Sequence, residues 1–185
     1  MKNNRLAKIL MLLLLAVISS SCCRHDGPYK GRVIDSETKQ PLEGVVVLGV
    51  WYKELPGPGG STGTYFDAQE TVTDKKGDFE LKGQGLQILS TVSMMHVLIF
   101  KAGYKYVGSG MWVSLKVDGG LMEKKADWEG DRAIIPLRKL TRDERRRNTP
   151  PSPPNEVHKE KIKSILSEIN KDRIELGFDP INVGR

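Results

Sequence analysis

The stretch GRVIDSETKQPLEGVVVLGV, residues 31–50, decides the fold because it predicts a strand, a loop and a second strand in succession. A β-branched pair that begins at Val33 follows a glycine and favours a first strand. The polar loop after it ends at Pro41, which cannot donate a backbone hydrogen bond and disfavours helix in the residue before it. After Gly44, residues 45–48 are strong strand formers, so the stretch indicates a β protein.

The second of these strands is apolar on both faces, which is unusual for a strand at the surface of a sandwich. Alternation places Val45 and Val47 on one face, and Val46, Leu48 and Val50 on the other. A strand that does not alternate between apolar and polar residues is usually covered on both sides. We therefore expect an element outside the basic sandwich to pack on this strand.

The rest of the chain predicts a mainly β fold with a helix at its end. Turn signals separate seven or eight short strands between residues 29 and 140, at the spacing of a small antiparallel β-sandwich. About 110 residues suffice for one such domain. Residues 141–154 are charged and proline-rich and predict a linker, and residues 155–178 predict an amphipathic helix capped by Asn155.

The predicted C-terminal helix has one apolar stripe, formed at positions i, i+3, i+4 and i+7 by Ile162, Ile165, Leu166 and Ile169. A single helix of this size is marginally stable alone, so the stripe must be buried. We expect it to pack on the chain's own domain. A partner protein or a membrane surface is the alternative, although the stripe contains no Trp or Phe.

The first 21 residues have the layout of an export signal. Lys2, Arg5 and Lys8 form a positive region, residues 9–18 are apolar, and three serines follow at 19–21. The apolar run is shorter than the roughly 20 residues that a membrane span requires. We therefore expect residues 1–21 to be a cleaved signal peptide and the mature protein to lie outside the cytoplasm.

Cys22, directly after these small residues, resembles the modified cysteine of the bacterial lipobox. The resemblance implies that the Cys22 thiol is diacylated, with fatty acids such as palmitate, and that residues 22–28 form a lipidated tether to the membrane. Neither Cys22 nor Cys23 is followed by Asp, which by the same resemblance implies the outer membrane. Ordinary signal cleavage, giving a secreted or periplasmic protein, is the alternative, and Cys23 remains a second candidate for acylation.

Residues 29–140 resemble the carboxypeptidase regulatory-like domain, a small β-sandwich of the transthyretin (prealbumin) type. The matching positions of its first motif are Gly31, Val33, Asp35, Thr38, Pro41, Leu42, Gly44, Val45 and Val47. A second motif matches at Thr73, Asp74, Gly77 and Phe79, followed by residues 100–104. These are turn and core residues, so the resemblance implies a fold and says little about chemistry. Residues 53–69 and 82–95 are longer than the corresponding family segments, and we expect insertions there, the first as the long loop of a hairpin.

Charge and residue types favour a binding or structural role in the cell envelope over a catalytic one. Without the three cations of the signal, the formal net charge of +6 falls to +3, too little to indicate nucleic-acid binding. No catalytic constellation is evident, and we expect no catalytic residues, metal or cofactor. The alternatives are a transthyretin-fold hydrolase, for which His25, His96, His158 and Ser93 are the available groups, and an assembly protein that acts through the C-terminal helix.

The candidate ligand-binding residues are aromatic. Trp51, Tyr52, Tyr104 and Trp112, together with Tyr65, could stack on the rings of a carbohydrate. The alternative is that most of these side chains belong to the core or its edge. The expected partners are the membrane, through the N-terminal lipid, and either a carbohydrate or an envelope protein; the sequence leaves the oligomeric state open.

Overall fold

A computed structural model describes residues 23–57, 60–88, 90–115, 126–150, 152–153 and 155–181. The protein is mainly β, and the described residues form ten strands and two α-helices. The strands are β1 (Cys23–Asp26), β2 (Tyr29–Asp35), β3 (Val46–Gly57), β4 (Gly60–Val72), β5 (Asp78–Leu81), β6 (Gly85–Ile88), β7 (His96–Phe100), β8 (Val107–Met111), β9 (Asp127–Glu129) and β10 (Arg132–Leu137). The helices are α1 (Arg142–Arg147) and α2 (Lys163–Glu175), and 3₁₀ turns occupy Trp112–Leu115 and Lys159–Lys161.

Two four-stranded sheets enclose the main core and give the fold its sandwich-like form. The strand order is β5-β2-β10-β9 in the first sheet and β4-β3-β7-β8 in the second. The core between them includes Val33 and Ile135 from the first sheet, and Val47, Trp51 and Ile99 from the second. All five side chains are fully buried. This confirms a mainly β, sandwich-like architecture, with more strands than the seven or eight predicted.

One strand pair departs from the predicted antiparallel arrangement. β2 and β10 run parallel, with Gly31 opposite Ala133 and Val33 opposite Ile135. Strands joined by a short hairpin must be antiparallel, whereas a distant pair can run either way. Because β10 enters the sheet about a hundred residues after β2, as their numbering shows, no local turn signal constrains its direction.

The segment 53–69, predicted as the long loop of a hairpin, is a hairpin whose strands pair almost to the tip and extend β3 and β4. The two strands pair continuously from Val46 opposite Val72 to Gly57 opposite Gly60, with a register shift between Trp51 and Tyr52. Residues near the tip are exposed, as the 53% exposure of Leu55 illustrates. The hairpin therefore extends beyond the part of the sheet that is buried in the core.

Residues 23–26, which the sequence places in a tether, form β1 and pair with β6 in a two-stranded ribbon. We call this pair the N-terminal ribbon. The Arg24 guanidinium donates a hydrogen bond from Nη2 to the carbonyl oxygen of Val92 at 2.7 Å and ties the ribbon to the following segment. A polar stretch with Gly and Pro has no apolar alternation, so its strand character arises from pairing with a distant segment. β6 lies inside the 82–95 interval, where an insertion was expected.

Helix α2 covers the outer face of the second sheet and confirms the expected packing of its stripe on the chain's own domain. Ile162, Ile165 and Ile169 are fully buried against the outward side chains of β3 and β7, which include Leu48 and Phe100. This cluster also explains why β3 is apolar on both faces. Neither helix in the described part of the chain has the length and apolarity of a membrane span.

The start and side of α2 are held by groups from elsewhere in the chain, and Asn155 is not its cap. The Glu70 carboxylate on β4 accepts hydrogen bonds from the backbone N–H groups of Ser164, at 2.8 Å, and Ile165, at 3.1 Å. A negative charge is favourable at a helix N-terminus. Farther along, Asp172, only 6% exposed, accepts from the Gly103 backbone N–H at 2.8 Å and from Arg145 Nε at 2.9 Å. The helix begins later than predicted, at Lys163, where the Glu70 carboxylate accepts hydrogen bonds from its first N–H groups.

Candidate functional site

The two outer sheet faces differ, because α2 covers one of them and the other bears a shallow depression. Parallel register places Arg32 of β2 beside Ile134 of β10 on the outer face of the first sheet, and Ile34 beside Pro136. All four residues are partly exposed. The depression lies over this face and is lined by Arg32, Ile34, Lys39, Pro41, Lys75, Lys76, Glu129 and Ile134. We call it the basic depression, since four of its residues are cationic and one is anionic.

The loop that bears Lys39 is fixed by a carboxylate at the end of β2. Asp35 Oδ1 accepts hydrogen bonds from the backbone N–H groups of Glu37 and Thr38, each at 2.9 Å, and Tyr104 donates its hydroxyl to Asp35 Oδ2 at 3.2 Å. The Thr38 hydrogen bond is the main reason that the pKa of Asp35 lies below its ordinary value. Lys39 itself has a φ of 60°, a left-handed conformation that is uncommon for a residue other than glycine.

The second loop of the depression, the turn that bears Lys75 and Lys76, is also held by hydrogen bonds. Asp74 Oδ1 accepts from the backbone N–H groups of Lys76, at 2.8 Å, and Asp78, at 2.9 Å, the local hydrogen bonds by which Asp stabilises a turn. Gly77 has a φ of 74°, and its carbonyl accepts from the Val33 backbone N–H at 2.9 Å. Both lysine-bearing loops are therefore fastened to β2 and hold their cations over one face.

Electrostatics distinguish the arginines near the depression from its lysines. Arg32 and Arg132 both pair with Asp78, the former at 2.7 Å from Nε to Oδ1. The Arg32 hydrogen bond is the main reason that the pKa of Asp78 lies below its ordinary value. The exposed Lys39, Lys75 and Lys76 form no ion pair with another described residue. Their charge is available to an anionic group, while the isoleucines below offer apolar contact.

The predicted aromatic residues lie on both sides of the second sheet and do not form one exposed stacking face. Trp51 and Trp112 are buried in the inter-sheet core, at 0% and 6% exposure, and each packs against Tyr29. Tyr52 lies on the opposite face of the sheet, beside the α2 cluster, as does Tyr65.

Tyr104, the remaining candidate, packs at the edge of the inter-sheet core, and its hydroxyl donates a hydrogen bond to Asp35. The alternation of side chains along β3 predicts part of this arrangement from the sequence. Trp51 shares the phase of the core residues Val45 and Val47, which predicts that it points inward.

Sequence reasoning missed a buried polar cluster around Asp26. This carboxylate is 2% exposed and accepts from Tyr29 Oη at 2.5 Å, Trp51 Nε1 at 2.8 Å and the Gln84 backbone N–H at 3.0 Å. Burial, reinforced by the hydrogen bond to Asp26, raises the pKa of the Tyr29 hydroxyl above its ordinary value. The cluster fastens the N-terminal ribbon to the core, and it was missed because Asp26 reads as part of a tether.

The groups available to the hydrolase alternative are dispersed. His25 is exposed on β1 and His158 is exposed ahead of α2, whereas His96 packs edge-on against Tyr52 with ring centroids 5.2 Å apart. Burial lowers the pKa of His96. Ser93 Oγ accepts from the Tyr52 backbone N–H at 3.2 Å and donates to the Met94 carbonyl at 3.1 Å. Among the residues that the structure describes, no three His, Cys, Asp or Glu side chains are grouped to hold a metal ion.

Cys22, the predicted lipid-attachment residue, lies outside the described residues, and Cys23 is exposed at the first position of β1. Comparison of the chain with known protein families, curated proteins and solved structures finds no match.

Proposed function

We propose that this chain is a non-catalytic module of the bacterial cell envelope, anchored to the outer membrane through a lipid on Cys22, that binds an acidic envelope protein through the basic depression. The observation that carries the proposal is the difference between the two outer sheet faces. One is covered by α2, while the other bears Lys39, Lys75 and Lys76 over an apolar floor. The export signal and the cysteine that follows it supply the anchor.

We further propose that the sandwich is of the transthyretin-like type, a carboxypeptidase regulatory-like domain, and the roles of its motif residues support this. Thr73 Oγ1 donates to the Leu42 carbonyl at 2.6 Å and accepts from the Val45 backbone N–H at 2.9 Å. Gly44 and Gly77 both have a φ of 74°, which favours glycine. The motif residues act in turns and in the joints between strands, in agreement with a family whose signature is structural.

An acidic protein segment suits the basic depression better than a neutral carbohydrate does. Three exposed lysines favour carboxylates, and Ile34 and Ile134 favour apolar side chains between them. Flat sugar rings stack on exposed aromatic faces, and Trp51 and Trp112 are buried. The buried carboxylates of the described chain serve structure, as the contacts of Asp26 and Asp172 indicate, which supports a binding role over a catalytic one.

The anchor is tested by replacing Cys22 and Cys23 with Ser, separately and together, in the full chain expressed in a Gram-negative host. The expected result is that Cys22→Ser removes the acyl groups, measured by mass spectrometry, and releases the protein from the membrane fraction. Retention of the double variant in the outer-membrane fraction would contradict the lipid anchor.

The binding surface is tested by a photo-crosslinking amino acid at Ile34, with the same group at the exposed Val72 as a positional control. We expect crosslinks to one envelope protein from position 34 alone, and loss of most of this product in Lys39→Glu/Lys75→Glu/Lys76→Glu. The matched control reverses three exposed lysines near α2, in Lys159→Glu/Lys163→Glu/Lys171→Glu. Equal crosslinking by the two triple variants would refute the assignment, and selective binding on a glycan array would replace it with a carbohydrate ligand.

A further inference from the structure

The N-terminal ribbon has one face on which every side chain is exposed. β1 and β6 pair with Cys23 opposite Ile88 and His25 opposite Leu86. Residues directly opposite each other in an antiparallel pair lie on the same face, and residues two apart along a strand share that face. These four residues are exposed, while Arg24, Gln87 and Asp26 between them are partly or fully buried. We call the exposed side the ribbon face.

The ribbon face contains two of the most exposed large apolar side chains among the described residues. Leu86 is 62% exposed and Ile88 is 60% exposed, and the two lie two residues apart on the same face of β6. Isolated apolar residues are ordinary on protein surfaces, but an adjacent pair on a short ribbon forms a patch. A patch of this size suits shallow insertion into a surface better than a stable protein interface, which needs a much larger area.

The tip of the β3–β4 hairpin lies at the same end of the molecule. The Glu54 backbone N–H donates to the Thr91 carbonyl at 2.9 Å, and Arg24 Nη2 donates to the carbonyl of the next residue, Val92. Residues of β1, β3, β4 and the 90–92 segment line one depression there. Leu55, 53% exposed, follows Glu54. Three exposed apolar side chains therefore occur at the end of the molecule where the described chain starts.

We propose that the ribbon face is a membrane-docking surface, with Leu86 and Ile88 inserted at the bilayer interface. The inference rests on the proposed lipid anchor at Cys22. Adjacent Cα atoms are about 3.8 Å apart, and opposed residues of an antiparallel pair are about 5 Å apart. Chain geometry therefore keeps an acyl group on Cys22 close to Ile88, and apolar side chains at a membrane interface are buried to a depth of about 5–10 Å.

Continuity with the anchor selects the bilayer as the occupant of this face. β1 begins at the residue directly after Cys22, so the ribbon has little slack with which to move away from the acyl group. The two acyl chains of the proposed anchor give stable attachment by themselves, and contact through the ribbon face adds a short-range restraint to it. Docking through the ribbon face would also orient the rest of the domain relative to the membrane.

The experiment places an environment-sensitive nitrobenzoxadiazole label on the ribbon face of the acylated full chain. His25→Cys in a Cys23→Ser background supplies a labelling thiol beside Leu86, and Lys75→Cys in the same background supplies a control in the turn at 74–77. The proteins are reconstituted in vesicles of phosphatidylethanolamine and phosphatidylglycerol. We expect a blue shift of the emission at position 25, no shift at position 75, and loss of the shift in Leu86→Gln/Ile88→Gln.

A matched variant controls for the removal of apolar surface. Ile174→Gln/Phe178→Gln changes two side chains that are 61% and 42% exposed near the end of α2, and it should leave the shift at position 25 unchanged. Circular dichroism should be the same for all variants because the altered residues are exposed.

The outcomes separate the anchor from the docking surface. Absence of the blue shift in chains that mass spectrometry proves to be acylated would overturn the docking surface and leave the anchor intact. A shift that survives Leu86→Gln/Ile88→Gln would also overturn it, because the label would then report only its nearness to Cys22. Absence of acylation would instead overturn the proposed anchor, and the docking inference with it.

Discussion

Truncating one buried side chain of α2 should destabilise the whole sandwich. Ile169 is fully buried between α2 and the second sheet, and Ile169→Ala removes three carbon atoms from that cluster. At about 0.8 kcal/mol for each buried methylene, the transfer term is about 2.4 kcal/mol. The residual cavity adds to this, so we expect the free energy of unfolding to fall by about 2–4 kcal/mol.

The assay follows urea unfolding by tryptophan fluorescence and by circular dichroism. Trp51, Trp112 and Trp128, the three tryptophans of the chain, all belong to or pack on the inter-sheet core, on the opposite side of the second sheet from α2. The fluorescence midpoint therefore reports the sandwich and not the helix. With an ordinary urea dependence for a chain of this size, Ile169→Ala should lower both midpoints by about 1–2 M.

The control is Ile174→Ala in the same helix, where the side chain is 61% exposed. Both substitutions make the same change in helix propensity, so their difference isolates burial. Ile174→Ala should change the free energy of unfolding by less than about 0.5 kcal/mol. An unchanged fluorescence midpoint in Ile169→Ala would refute the reasoning, because α2 would then undock without cost to the sandwich.

Three further perturbations test the loops and joints of the fold. Asp172→Ala should lower the free energy of unfolding by about 2–3 kcal/mol in urea titrations, since it removes the buried acceptor of Gly103 and Arg145. Gly77→Ala should cost more than about 2 kcal/mol in the same assay, because a side chain there is strained and its Cβ would overlap the Val33 carbonyl oxygen. Asp35→Asn should flatten the acid dependence of the urea midpoint. Folding lowers the pKa of Asp35, so the ionised carboxylate stabilises the folded state at pH values above its pKa in the unfolded chain, about 4. This stabilisation is lost as the pH falls through the pKa of the folded state.

Each perturbation has a matched control in the chain. Arg142→Ala alters an exposed side chain of α1 and should leave the midpoint unchanged, in contrast to Asp172→Ala. Gly130 also has a positive φ, 65°, but open space around it, so Gly130→Ala should cost only the strain of about 1–2 kcal/mol. Asp179→Asn, at an exposed position, should keep the acid dependence of the unaltered chain. If a variant and its control changed the free energy of unfolding, or its acid dependence, by the same amount, the contact on which that prediction rests would be contradicted.

The sequence predicted features that depend on local periodicity. The apolar residues on both faces of β3 required a covering element, and the stripe at Ile162, Ile165 and Ile169 required a surface to cover it; the two meet in one cluster. The second motif, whose residues were expected in turns and in the core, forms a turn at 74–77 that its Asp and Gly stabilise. In each case the deciding information lies within a few residues of the structure that it determines.

Features that depend on distant pairing were not predictable in the same way. The strand character of residues 23–26 arises from pairing with 85–88, and the parallel direction of β10 from its place beside β2. The basic depression unites Lys39 with Lys75 and Lys76 because two separate loops are fastened to one strand. Trp51 and Trp112 were predicted to bind a ligand from their side-chain chemistry alone. That prediction did not use the inward direction of their side chains or the packing that buries them.

The order in which the chain is synthesised has a consequence for the face that α2 covers. The second sheet is complete once β8 has emerged, about fifty residues before α2 does, as their positions in the chain show. Until then Leu48, Phe100 and their neighbours form an exposed apolar surface on the nascent protein, and such surfaces promote aggregation. A premature stop codon ahead of α2 would make that exposure permanent, so quality control by chaperones and proteases should act most strongly on chains that lack their last thirty residues or so.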